Sequence, residues 1–150
     1  MKISEGITDD GVVVGNAFDK YGSRNPVVRA IMGGFESSLS DLVAVSAPQS
    51  IHEVGCGEGF HALKWKAQGK HVRGSDFSSR VIEIARSNAA DMDMPPGMFD
   101  TRSIYDLEPG VDDADLMVCC EVLEHLEYPE RALEALQKVT RSRLVLSVPR

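Results

Sequence analysis

Short apolar runs and stretches of helical periodicity take turns along most of this chain. A helix is expected to open at Asn25-Pro26, with Asn25 as N-cap and Pro26 at the first helical position. Val28, Ile31, Met32, Phe35, Leu39 and Leu42 then recur at helical spacing, and Gly33-Gly34 weakens the middle. From Ser50 the pattern changes. Ile51 to Val54 reads as a strand running into a glycine cluster, and Phe60, Leu63 and Ala67 give a helix face that stops at Gly69. His71 to Asp76 reads as a second strand, followed by a helix opened by Ser78 or Ser79 and lined by Val81, Ile84 and Ala85. Met94-Pro95-Pro96-Gly97 breaks the chain before a short third strand around Met98 to Thr101. Leu116 to Cys120 is continuously apolar, as a parallel strand buried on both faces should be. Pro129 to Val139 reads as a helix with Ala132, Leu133, Leu136 and Val139 inward, and Leu144 to Val148 as a fifth strand. This alternation predicts an α/β fold, a doubly wound parallel sheet with helices on both faces. Residues 1–24 read as a loose arm with one short apolar run, Val12 to Val14. With no repeat or low-complexity tract, residues 1–150 are expected to form one domain: arm and helix over 1–45, core over 50–150.

Composition narrows the class. A chain of 150 residues with 43% apolar and 26% charged side chains suits one globular domain with a real core. It contains no run of about 18 apolar residues, so no transmembrane helix is expected. Met1 to Asp10 carries two aspartates and a glutamate and no apolar core segment, so no secretory signal is expected. The three cysteines, Cys119 and Cys120 adjacent, suit neither a disulfide framework nor a zinc site, which points to the reducing cytoplasm. A net charge of -7 argues against broad nucleic-acid binding, which needs clustered Lys and Arg, and leaves room for a small cationic ligand.

The chemistry gathers first in Glu53-Val54-Gly55-Cys56-Gly57-Glu58-Gly59, at the exit of the first core strand. Glycines here let the backbone turn sharply and let a ligand lie against main-chain N–H groups at a helix N-terminus. A dinucleotide site would want G-x-G-x-x-G, but the sixth position from Gly55 is Phe60, too large for that packing. The glycines fall instead at i, i+2 and i+4, two residues after an acid.

That spacing resembles motif I, ExGxGxG, of the class I S-adenosylmethionine (SAM)-dependent methyltransferases, and the segment after the fourth strand is similar to that of their small-molecule and quinone O-methyltransferase-like branch. Asp76, 21 residues after Gly55, stands where the family keeps the acid that holds both ribose hydroxyls. Cys120-Glu121-Val122-Leu123-Glu124-His125 is similar to the family's EVLEH segment, so the resemblance covers about residues 50–150. It implies a Rossmann-like core, SAM as cofactor and a small-molecule acceptor. The implied cofactor residues are Glu53, Gly55, Cys56, Gly57, Gly59, Asp76 and Phe77, with Ser103 and Ile104 at the adenine and Cys120 and Glu121 beside the methionine moiety. Where many members place an Asp after the third strand, this chain has Ser103-Ile104; Asp106 is the alternative if the loop shifts. The acids of this site would repel a pyrophosphate and suit a zwitterion with surplus positive charge.

If the segment after the fourth strand is helical, Glu121, Glu124 and His125 share one side. Two carboxylates and an imidazole suit a divalent cation, the arrangement of metal-dependent small-RNA 2′-O-methyltransferases. The bland reading has the acids at a helix start and His125 packed nearby; a third has His125 as general base. We expect no metal here, His125 as the catalytic candidate, and nucleic acid not to be the substrate. A non-catalytic SAM-binding module is the other alternative. Class I enzymes usually have seven strands, so this core is expected to lack the last two. The bare, apolar fifth strand would then invite a homodimer through its edge. The sequence permits the arm, with Phe18 and Tyr21, to close over the cofactor.

Overall fold

The computed structural model describes residues 1–4, 6, 8–9, 12–13 and 25–148. The expectation for Phe18 and Tyr21 therefore lies outside the described residues. A short hairpin pairs β1 (Thr8–Asp9) with β2 (Val12–Val13). Helix α1 (Pro26–Ser46) starts as expected: the Asn25 side chain accepts from Val27 N–H at 2.9 Å, and Pro26 occupies the first turn. The glycine pair does not interrupt it, because the flanking Phe35, Leu39 and Val43 pack onto the body. Ile31 and Leu42, expected inward, are exposed; the buried stripe runs through Leu39 and Val43 instead.

The core is a five-stranded parallel sheet in the order β5-β4-β3-β6-β7. Its strands are β3 (Ser50–Val54), β4 (His71–Asp76), β5 (Phe99–Thr101), β6 (Ala114–Cys120) and β7 (Thr140–Ser147). Helices α2 (Phe60–Ala67), α3 (Ser79–Asp91) and α4 (Pro129–Val139) connect them. The period-two alternation of β6 sorts its side chains between two cores. Leu116 and Val118 join α1, α2 and α3 on one face, while Met117 and Cys119 join α4, Ile104 and Leu107 on the other. This is the doubly wound sheet that the alternating pattern predicts.

Two strand expectations change. β7 begins at Thr140, four residues before Leu144, and so takes in Arg141 and Arg143. β6 begins two residues earlier than Leu116, at Ala114. The N-terminal residues also depart from a loose arm: Ser4 is buried against the body. No helix among the described residues is long and apolar enough to cross a membrane.

Candidate functional site

The chain enters the sheet at β3, winds outward through β4 and β5, then crosses to β6 on the other side. That reversal opens a crevice at the carboxyl ends of β3 and β6, where ligands of such sheets bind. The glycine loop lies there.

Gly55 and Gly59 are required by their own neighbours. Both have positive φ, +74° and +84°, and a Cβ on Gly55 would overlap the Val122 side chain. A Cβ on Gly59 would sit 2.5 Å from Phe99 Cζ. Gly57, φ +53°, faces open space, which makes it the glycine that a ligand can approach.

Hydrogen bonds hold this loop in one shape. Gly55 N–H and Cys56 N–H both donate to Ser75 O, at 2.8 and 3.0 Å, binding the loop to β4. Gly57 N–H donates to Asp76 Oδ2 at 3.1 Å, and Ser78 N–H to Asp76 Oδ1 at 3.1 Å. Asp76 is thus fixed by the loop on one side and the start of α3 on the other. Burial raises its pKa, against the pull of those N–H donors. Glu53 points inward from β3 and accepts from Ala62 N–H at 2.9 Å, covering one of the unpaired donors in the first turn of α2. Burial pushes the Glu53 carboxyl up to about 8, although the Ala62 bond opposes this. Cys56 is buried beneath the loop with its thiol pushed up by desolvation, so its contribution is packing rather than nucleophilic chemistry.

The loop after β5 reaches the same crevice, because Arg102 N–H donates to Asp76 O at 2.8 Å. Ser103 Oγ accepts from Tyr105 N–H at 3.3 Å, while the Ile104 side chain is buried in the α4 core. Phe77 is half-exposed beside Asp76, and Asp106 is exposed. On the other side, Cys120 ends β6, and the N–H of Glu121, the next residue, donates to Ser147 O at 3.0 Å. Glu121 adopts a left-handed conformation, φ +56°, and its Oε1 accepts from Ser147 Oγ at 2.9 Å. Leu123–His125 is a single 3₁₀ turn. The helical face that would gather Glu121, Glu124 and His125 is therefore absent. His125 is 70% exposed, 3.8 Å from Glu124, so it is not packed. Among the described residues no group of three His, Cys, Asp or Glu side chains is placed to hold a metal.

Sequence reasoning missed three residues of the loop's surroundings. Glu58 is buried at 2% exposure, accepting from Ser4, and Asn88 of α3 donates to Glu58 O at 3.0 Å. Val122 supplies the wall against Gly55. Asn88 carried a readable signal: it falls at the inward spacing of Val81, Ala85 and Ala89, where a polar side chain needs a partner. A groove of about 480 Å³ between α1 and α2, lined by Arg29, Met32 and Lys64 among others, includes none of the loop residues.

Residues 52–146 match the family described as methyltransferase domain. A ubiquinone biosynthesis O-methyltransferase from Cupriavidus pinatubonensis is 26% identical over 103 residues, covering 67% of this chain and 41% of the relative. One from Albidiferax ferrireducens is 30% identical over 92 residues, covering 59% of this chain and 36% of the relative. The chain thus spans about two fifths of the length of these curated relatives. Among solved structures, magnesium protoporphyrin IX methyltransferase from Synechocystis PCC 6803 with bound SAM superposes with a TM-score of 0.67. It is 24% identical, with 87% of this chain and 69% of that chain covered, so the likeness is one of fold.

Proposed function

This chain belongs to the methyltransferase domain family, and we propose on that premise that it binds SAM and transfers its methyl group to a small-molecule acceptor. The observation that carries this reading is the pinned Asp76 beside the open face of Gly57, at the reversal point of the sheet. Asp76 has both oxygens held by main-chain N–H groups, and its remaining lone pairs would accept from the two ribose hydroxyls. The carboxylate of Asp76 at the loop suits a cofactor with a sulfonium and an ammonium and disfavours pyrophosphate. The start of α2 beyond Gly57 would meet the methionine portion, and the Ser103-Ile104 loop, held to Asp76 through Arg102, the adenine. Cys120 and Glu121 would flank the methionine portion from β6.

When bound, SAM supplies an electrophilic methyl that an acceptor lone pair takes in line as the carbon–sulfur bond breaks. The protein's part is to orient and desolvate the reactants, which needs no protein nucleophile. His125, exposed at the crevice end of β6, is our candidate to take the acceptor's proton. The named activity of the relatives supports an oxygen acceptor. The metal-dependent RNA reading loses its support because Glu121 turns to Ser147, away from Glu124 and His125. The free thiols Cys56, Cys119 and Cys120 are in keeping with the cytoplasm as compartment. The outer edge of β7 has no strand beside it among the described residues, and Leu146 and Val148 are exposed there. A homodimer through this edge is part of the proposal, although Arg141 and Arg143 within β7 weaken the pairing. Light scattering that shows only monomer at about 100 μM would remove that part.

Isothermal titration with SAM, S-adenosylhomocysteine and NAD tests the assignment. Heat from the first two and none from NAD is expected. The opposite pattern would sink it.

A further inference from the structure

We infer that the N-terminal segment is part of the cofactor site, with Ser4 and Asn88 acting as positioning residues that hold the glycine loop through Glu58. The inference rests on the SAM-binding reading above.

Glu58 stands between Gly57 and Gly59, yet its side chain turns inward. At 2% exposure a carboxylate in the loop needs donors, and Ser4 provides two: its N–H at 3.0 Å and its hydroxyl at 2.8 Å, both to Glu58 Oε1. Asn88, 1% exposed on α3, closes the arrangement from the other side. Its Oδ1 accepts from Lys2 N–H at 2.7 Å, and its Nδ2 donates to Lys2 O and to Glu58 O, each at 3.0 Å. One asparagine therefore grips the peptide of Lys2 at two points and the glycine loop at a third. Lys2 adds surface contacts, with Nζ 2.9 Å from Asp91 and 2.6 Å from Ser87 Oγ.

This geometry couples two things that lie 54 residues apart in sequence. The two donors of Ser4 lower the cost of burying Glu58, and the buried Glu58 side chain in turn helps to fix the loop that carries the left-handed glycines. Binding a cofactor on the loop must therefore tighten the strap, and loosening the strap must weaken the cofactor, by the same factor.

Ser4→Pro tests this, since it deletes both the N–H and the hydroxyl donor and changes no residue of α2, α3 or the sheet. The Kd of S-adenosylhomocysteine is expected to rise about fivefold or more for Ser4→Pro, about twofold for Ser4→Ala, and to stay at the wild-type value for Ser4→Thr, which keeps both donors. Hydrogen exchange at the Gly57 and Gly59 amides of the free protein should quicken about tenfold in Ser4→Pro, with β6 and α4 amides unchanged. In the wild type, S-adenosylhomocysteine should slow exchange at the Ser4 amide. Ser4→Pro with unchanged loop exchange and unchanged Kd would overturn the inference. If the wild type binds no S-adenosylhomocysteine, the functional reading fails, and the loop exchange of Ser4→Pro in the free protein alone decides whether the strap holds the loop.

Discussion

Asp76 and His125 show how differently two polar side chains at one crevice are constrained. Asp76 has an N–H donor on each oxygen, so truncating it removes the proposed ribose contact and also frees Gly57 and Ser78. Asp76→Ala is expected to weaken SAM binding by about 1.5–3 kcal/mol, the range for a hydrogen bond to a charged group. Asp76→Glu should fall between, and isothermal titration reads both. An unchanged Kd for the alanine variant would move the ribose role to Asp100 or Asp106. The His125 side chain is largely exposed, its imidazole 3.8 Å from Glu124. His125→Gln should therefore leave the melting temperature almost unchanged, within about 0.5 kcal/mol of stability. If His125 takes the acceptor's proton, turnover falls while the Kd of SAM holds. Unchanged turnover would end its candidacy.

The elements around the site are joined by close approaches, and Gly59, set against the Phe99 ring, is one of them. An alanine there must adopt φ near +84° and press its Cβ against the Phe99 ring. Left-handed backbone and overpacking together should cost about 2–4 kcal/mol. Denaturant unfolding checks this, and pairing Gly59→Ala with Phe99→Leu should restore part of the loss. Additive losses would mean that ring and loop do not press on each other. Helix starts were legible because caps act over two or three residues: Asn25 and Ser78 both cap as their positions suggest. The segment after β6 was not. Its i, i+3, i+4 spacing suits a helix face, but Glu121 turns left-handed so that its N–H and carboxylate can reach Ser147 on β7. No local rule contains that strand.

At the scale of the whole molecule, two buried titratable groups on β3 set opposite slopes of stability with pH. Glu53, raised from an ordinary 4.5 to about 8 by burial, binds its proton more tightly folded than unfolded. Its contribution is complete below about pH 4.5 and fades as pH rises through about 8. His52 lies between Asp112 O and Ser75 Oγ, each at 2.9 Å, and burial pushes it from 6.5 down to about 4. Its contribution is complete above 6.5 and fades as pH falls through about 4. Between 4.5 and 6.5 the two slopes oppose each other. Calorimetry should find the melting temperature nearly level there and falling from pH 6.5 to 8, where the Glu53 slope acts without the opposing one. Glu53→Gln should flatten that alkaline fall; an undiminished fall would place its origin elsewhere. The sequence by itself determined the α/β class, the order of strands and helices, the glycine turn and the acid at the end of β4. Periodicity, capping and the demand of a sharp turn for glycine all operate within a few residues, so a single stretch of chain carries them. Only the tertiary structure decided that Glu58 turns inward to Ser4 and that Glu121 answers to Ser147. It also decided that Ile31 and Leu42 face outward while Val43 is buried. Those outcomes depend on which distant surfaces meet, and a buried polar group or a packed face takes its partner from whatever the fold brings against it.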